Sequence, residues 1–309
     1  MKRTSFLQFC LVMSVLVWRL PLYADAAMQT VNPKVVVATI HPLTAILREV
    51  AGCRLSIKTL LSPASSPHTF EPKPSDIREI EQAAALFYVG PHLDEQWVGR
   101  IPAASKIKML ELLPDQFMLV MQEDHHGVIK HMSSGYDTEH GVIDPHFWTD
   151  PLAVKAMLPK LIHTLSAIDP EGKVVYEQNS NRFTEDLGRL HEKVEQMLLP
   201  VRNEPVLLLH PSFQYMMNRY GLYFAGVIEF SPGKEPTPRF IMKLVENIKK
   251  LQVRALFSEI QLSKKTVAAI AEAAGIPVRE LDPIGGVSGR KQYHELILYN
   301  AKALADGLR

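Results

Sequence analysis

Three histidines and one aspartate are the residues of this 309-residue sequence whose types and positions suit metal binding. Each follows an apolar run or lies in a turn: His68 in SPHTFEPKPSD, His146 in DPHFWTDP, His210 in VLLLHPSF and Asp282 in VRELDPIGG. Brought together by a fold, three imidazoles and one carboxylate would form the four-ligand shell that Zn²⁺ favours. Spacing alone leaves a second interpretation open, in which each is an unrelated packed or solvated side chain.

The surroundings of the three histidines favour the metal hypothesis. Each has an adjacent proline, which restricts the backbone and lowers the entropy lost on binding. The prolines are Pro67, Pro145 and Pro211. Nearby carboxylates could accept the second ring N–H of a metal-bound imidazole. The predicted supporting carboxylates are Glu71, Asp150 and Glu259, with Asp76 and Asp144 also close in sequence.

The other histidines have weaker claims. His41 follows a strand as His210 does, and we expect it to line a cleft at most. His92, in GPHLDEQW, is predicted to be a loop residue. His163, His191 and His294 lie in helical patterns and are predicted to face solvent.

Short continuous apolar runs alternate with amphipathic helical patterns along the chain. The runs are 35–40, 86–89, 206–209 and 255–257, and a strand followed by His-Pro and a helix occurs once in each half. This pattern is typical of buried parallel strands in α/β units. We therefore predict an α/β fold of two similar lobes, each a mainly parallel sheet flanked by helices.

Residues 173–199 predict one long helix between the lobes. Apolar residues recur there at spacings of three or four: Tyr176, Phe183, Leu187, Leu190, Val194 and Met197. At 1.5 Å per residue this rigid helix would be about 40 Å long, so only small lobe motions are expected. The predicted domains are an N-terminal lobe at 27–170, the connecting helix at 171–200 and a C-terminal lobe at 201–309.

Residues 122–141 are predicted to form a polar, mobile loop within the N-terminal lobe. The loop contains His125, His126, His131 and His140, which are candidates for auxiliary metal binding. A solvated loop without metal is an equally good interpretation.

The first 26 residues have the pattern of a secretory signal peptide. Lys2 and Arg3 precede an apolar run, and Ala24 and Ala26 fit a cleavage site near Ala26. Only Cys53 would remain in the mature chain, and we expect it to be a small buried hydrophobe. The formal net charge of +1 gives no electrostatic reason to expect nucleic acid as a partner.

Taken together, these segments resemble the substrate-binding proteins of zinc and manganese ABC importers. The resemblance covers nearly all of the mature chain, through SPHTFEPKPSD, DPHFWTDP, HPSFQYMMNRYGL, EFSPGKEPTPRFIMKLVENIKK, ALFSEIQLSKKTVAAIAEAAGIPV and LDPIGG in that order. It implies two α/β lobes joined by one long helix, with the metal held between them. The family's ligand positions fall on His68, His146, His210 and Asp282.

The resemblance also bears on the choice of metal. Manganese binders of this family tend to have a carboxylate at the third position, so His210 favours zinc over Mn²⁺ or Fe²⁺. Some zinc members have a glutamate before the first histidine, whereas this chain has Pro67. That departure favours Asp282 as the fourth ligand, or leaves the position to water.

The function expected from the resemblance is capture of Zn²⁺ in the periplasm and delivery to an inner-membrane ABC permease, by a monomer that is not an enzyme. A metal-containing surface adhesin and a secreted zinc hydrolase are the alternatives from other classes. The hydrolase is disfavoured because no HExxH motif is present and four ligands would leave no open position. Zinc affinity is expected to fall in acid, as protons compete for the imidazoles near pH ~6.5.

Overall fold

Two four-stranded parallel sheets form the framework of the protein, in a computed structural model that describes residues 32–123, 129–134, 142–228 and 237–309. The strand order in the first sheet is β2-β1-β3-β4. These strands are β1 (Lys34–Ala38), β2 (Leu55–Thr59), β3 (Ala85–Tyr88) and β4 (Lys106–Lys108). The two central strands are almost completely buried, because helices cover both faces of a parallel sheet.

The second sheet has the order β11-β10-β8-β9 and is again parallel throughout. Its strands are β8 (Pro205–Leu208), β9 (Tyr223–Val227), β10 (Leu256–Glu259) and β11 (Val278–Leu281). β8 and β10 are its central strands, and the predicted fold class is confirmed.

The helices that flank the sheets begin and end with recognisable sequence signals. Proline occupies the first turn of four of them, where its missing N–H has no helical partner. The helices are α1 (His41–Ala51), α2 (Pro74–Gln82), α3 (Glu95–Val98), α4 (Pro151–Ile168), α5 (Lys173–Leu198), α6 (Gln214–Tyr220), α7 (Pro238–Lys250), α8 (Lys264–Ala274) and α9 (Tyr293–Gly307).

α5 is the predicted long helix. It spans 26 residues, about 39 Å at 1.5 Å per residue. Its apolar face packs against α1 and α4 on one side and α9 on the other. Because one continuous helix contributes to the cores of both halves, residues 33–309 form one unit. The domain boundaries at residues 170 and 200 stay a prediction.

The start of α5 is fixed by a buried cluster of polar side chains. Asp169 accepts hydrogen bonds from Arg54 at 2.8 Å and from the Tyr176 hydroxyl at 2.6 Å. A Cβ at Gly172 would lie 2.4 Å from an Asp169 oxygen and 2.5 Å from the Tyr176 ring, so this turn accepts glycine alone. The cluster joins the end of α4 to the first turn of α5.

The predicted polar loop at 122–141 differs from expectation in the residues that are described. β5 (Leu119–Glu123), β6 (Ile129–Ser134) and β7 (Val142–Ile143) form a small antiparallel sheet of order β6-β5-β7. The backbone of His131 lies in β6, opposite Gln122. His125, His126 and His140 lie outside the described residues. Ladder pairing with β5 explains why a stretch of low apolar content forms a strand here.

Cys53 corrects a second expectation. It is exposed and not buried, because it lies in the turn between α1 and β2. In the described residues, no helix is both long enough and apolar enough to cross a bilayer. The predicted signal peptide lies outside the described residues.

Buried hydrogen bonds join the two halves of the chain around Trp148. Its indole Nε1–H donates to Pro283 O at 2.8 Å, and the Tyr293 hydroxyl donates to Trp148 O at 2.7 Å. All four groups of these two bonds are shielded from water, so the bonds specify how the halves meet.

We expect Tyr293→Phe to lower the free energy of unfolding by about 1–3 kcal/mol, because the buried Trp148 carbonyl would lose its partner. Denaturant titration of the metal-free protein measures this. Tyr223→Phe is the matched control, since Tyr223 is 51% exposed. Equal stability of the two variants would show that the Tyr293 bond contributes nothing.

Candidate metal centre

The predicted ligands lie in segments that follow strands. His210 follows β8 and Asp282 follows β11, while His68 lies in the connection between β2 and α2. His146 follows β7, just before the short turn that starts α4. Ligand sites of open α/β sheets lie beyond the carboxyl ends of the strands, because the loops after successive strands converge there.

The structure brings His68, His146 and His210 into one cluster. One ring nitrogen from each lies within 4.8 Å of the others. The ring centroids are 4.8 Å apart for His68 and His210, 5.2 Å for His146 and His210, and 5.8 Å for His68 and His146. Nitrogens bound to a tetrahedral zinc at about 2.0–2.1 Å would be separated by roughly 3.3 Å, so binding requires only small side-chain movements.

The rings of His146 and His210 are each held through one nitrogen, so that the other is left for a ligand. His146 Nδ1 lies 2.7 Å from Asp144 Oδ1, and His210 Nδ1 lies 3.2 Å from Glu259 Oε1. A carboxylate accepts hydrogen bonds, so these contacts place the ring proton on Nδ1 and leave the Nε2 lone pair available. His68 completes the cluster from the connection between β2 and α2.

His68 supplies the test of whether the cluster fits a metal ion. Its Nε2 is buried and has no hydrogen-bond partner among the described residues. A buried polar atom left unpaired costs about 1–3 kcal/mol, which coordination of an ion would offset. Imidazole nitrogens are ligands that suit Zn²⁺, whereas Mg²⁺ and Ca²⁺ prefer oxygen ligands. A set of three imidazoles therefore fits zinc.

Burial keeps two rings of the cluster uncharged. It lowers the pKa of His68 to about 2, an effect that neighbouring His210 and His146 increase. Burial also lowers the pKa of His146, with a further contribution from His210. The imidazoles of His68 and His146 are therefore neutral at pH 7, which is the form that binds metal.

Asp144 is the carboxylate that the prediction undervalued. It is fully buried, and burial raises its pKa to about 7, against the opposing effect of the His146 backbone N–H. That N–H donates to Oδ1 at 2.9 Å, and the Tyr215 hydroxyl donates to the Asp144 carbonyl at 3.2 Å. The position of Asp144 two residues before His146 was the sequence signal for this contact.

The other predicted supporting carboxylates have different partners. Glu259 Oε1 lies 3.2 Å from His210 Nδ1 and also accepts from the Ser212 hydroxyl. Asp150 instead caps α4 through Leu152 N and pairs with Arg219 at 2.8 Å. Glu71 is exposed on the connection before α2. Asp150 was predicted to support the metal site because it is close to His146 in sequence. In the structure it caps a helix instead.

Asp282 is buried but is not part of the histidine cluster in the structure. Its Oδ1 accepts from Gln261 Nε2 at 3.0 Å and from the backbone N–H groups of Ile284 and Gly285. Its Oδ2 lies 3.3 Å from Arg290. These contacts hold the turn after β11, and they orient the Asp282 carboxylate towards the backbone of that turn.

The remaining histidines are outside the cluster. His41 is buried and its Nε2 lies 2.8 Å from Lys291 O, whereas His92, His163 and His294 are exposed. His191, predicted to face solvent, is half-buried and stacks on Tyr220 with ring centroids 5.6 Å apart.

Known proteins similar to this chain include a zinc uptake protein. The high-affinity zinc uptake system protein ZnuA of Brucella abortus (strain 2308) is 30% identical over 304 residues, covering 88% of this chain and 91% of that protein. A crystal structure of ZnuA has a TM-score of 0.77 at 25% identity and covers 90% of this chain and 100% of its own.

A second solved structure is the laminin-binding protein Lmb of Streptococcus agalactiae, described as bifunctional, with adhesin and metal transporting activity. Its TM-score is 0.72 at 25% identity, and the match covers 89% of this chain and 100% of that chain.

The family model described as "Zinc-uptake complex component A periplasmic" matches residues 36–307, which include all three clustered histidines. This match spans the two sheets, α5 and the metal centre together. The chain therefore belongs to the zinc-uptake complex component A family, whose members are substrate-binding transport proteins.

Proposed function

We propose that this chain captures Zn²⁺ in the periplasm with His68, His146 and His210 and delivers it to the permease of an ABC importer. The observation that carries the proposal is the convergence of three imidazoles, of which His146 and His210 are buried and oriented through Nδ1 by a carboxylate. Membership of the zinc-uptake family and the zinc-uptake relatives support it.

Export is part of the same proposal. A periplasmic protein needs a route across the inner membrane, and residues 1–26 supply the signal peptide that we propose is cleaved near Ala26. The mature protein is expected to act as a monomer. Elemental analysis of protein exported by its own cell tests the cargo directly, and manganese or iron in place of zinc would contradict the proposal.

Adhesion is a second candidate, favoured by the likeness to the laminin-binding protein. It requires a host-matrix ligand in addition to the metal. Binding to immobilised laminin with and without a chelator separates adhesion from transport, because transport alone predicts no retention in either condition.

Removing one ligand should greatly weaken zinc binding. Loss of a group that hydrogen-bonds to a metal ligand typically lowers metal affinity roughly 10–100-fold. We expect His146→Ala to lower zinc affinity by more than this, because the substitution removes a coordinate bond. Competition titration against a fluorescent zinc chelator measures the change. His163→Ala, on an exposed face of α4, should match the wild type. Unchanged affinity of His146→Ala would exclude the site.

Zinc affinity should fall as pH decreases below about 7, the pKa of Asp144. A zinc ion on His146 Nε2 makes Nδ1–H more acidic and favours the ionised Asp144 carboxylate, so binding releases its proton. Below this pKa the loss approaches about tenfold per pH unit. The two imidazoles with lowered pKa values compete with protons only in stronger acid than the ~6.5 expected from sequence.

The measurement is zinc competition titration from about pH 8 to pH 5.5, in wild type and Asp144→Asn. The variant should bind zinc more weakly and show a flatter profile, because the titrating carboxyl is gone. A wild-type affinity that is constant over this range would contradict the role of Asp144.

His210→Glu should reduce the preference for Zn²⁺ over Mn²⁺, because a carboxylate oxygen suits the harder ion. Paired titrations with both metals give the selectivity ratio. An unchanged ratio would show that His210 does not set the choice of metal.

A further inference from the structure

The space beside the histidine cluster is small. The cavity has a volume of about 10 Å³ and is lined by the three histidines together with Glu259, Gln261 and other residues. About 10–15 Å³ accommodates one water-sized particle. If the proposed function holds, the zinc ion takes this space, and the fourth donor must come from the wall of the cavity.

Asp282 and Glu259, two carboxylates of the C-terminal half, already have other partners. Asp282 would have to give up contacts with Gln261, Arg290 and two backbone N–H groups to reach the cluster. Glu259 Oε1 orients His210 and accepts from Ser212. Coordination through Glu259 Oε1 or Asp282 Oδ1 would therefore cost a contact that shapes the site.

Gln261 has an amide whose orientation is fixed by its neighbours. Its Nε2 lies 3.0 Å from Pro63 O and 3.0 Å from Asp282 Oδ1. Both neighbours are acceptors, so the NH₂ group must face them and cannot be exchanged with the carbonyl oxygen. Oε1 of the planar amide is directed away from these two partners.

Oε1 of Gln261 is buried and has no hydrogen-bond partner among the described residues. An unpaired buried carbonyl is costly, and its residue lines the same cavity as the unpaired His68 Nε2. Two residues of one small cavity thus each have an unsatisfied acceptor atom, which a bound cation would satisfy.

We propose that the side-chain carbonyl oxygen of Gln261 is the fourth zinc ligand. The same amide then connects the ion to both halves of the protein, because Nε2 bonds Pro63 in one and Asp282 in the other. Coordination draws electron density from the oxygen and makes the N–H groups stronger donors, so metal binding tightens the contact between the halves. All four ligands are neutral, so Asp282 acts as a positioning residue for Gln261.

A zinc-bound crystal structure of the wild-type protein tests the proposal directly. The expected result is Gln261 Oε1 at about 2.0–2.2 Å from zinc, with three histidine nitrogens. An Asp282 oxygen or a water in the fourth position would overturn the proposal while leaving the proposed function intact. Zinc absent from the three histidines would overturn the proposed function itself.

Affinity measurements on variants provide a second test. Gln261→Leu removes the coordinating oxygen and should weaken zinc binding at least about tenfold. Loss of a group that only hydrogen-bonds to a metal ligand already has an effect of this size. Gln261→Glu restores an oxygen and should bind zinc more tightly than Gln261→Leu. Gln178→Leu, the same change on an exposed face of α5, is the matched control and should equal the wild type. Equal affinity of Gln261→Leu and the control would refute the proposal.

Discussion

Burial of neutral imidazoles with fixed tautomers is the constraint on which the rest of the structure depends. A buried ring that carried an extra proton would be charged in a poor solvent, so burial favours the neutral form of His68 and His146. The carboxylate acceptors at Nδ1 of His146 and His210 fix the tautomer and leave Nε2 for a ligand. What remains is a set of lone pairs whose natural partner is a cation.

Orientation of these rings requires contributions from both halves of the chain. Asp144 holds His146, and its backbone carbonyl in turn accepts from Tyr215 in α6. Trp148 packs near His146 and bonds Pro283 and Tyr293 across the interface. The site and the junction between the halves are therefore one hydrogen-bonded structure, in which displacement of either half disturbs the ligand geometry.

The rigidity of α5 fits a site that needs little rearrangement. A helix of 26 residues that packs on both halves resists bending, so the halves keep nearly constant separation. The two halves also approach each other closely at Gly286. Its φ is 83°, and a Cβ there would lie 3.1 Å from His41 and 3.1 Å from Pro63. Small closure suffices because the three nitrogens already lie within 4.8 Å of one another.

The apolar pattern of the sequence by itself determined the fold class, the long helix and the central strands. β1, β3, β8 and β10 are buried on both faces and so read as continuous apolar runs, whereas the edge strands β2, β4 and β11 carry exposed polar residues and give no such signal. Residue types also indicated the three histidines, since imidazole beside proline at a strand end is a local property. Only the tertiary structure decided which carboxylate meets which ring, and that Gln261 and not Asp282 borders the cavity. These pairings depend on competition among hydrogen-bond donors and acceptors that are distant in sequence. The amino-acid sequence alone does not show which donor meets which acceptor.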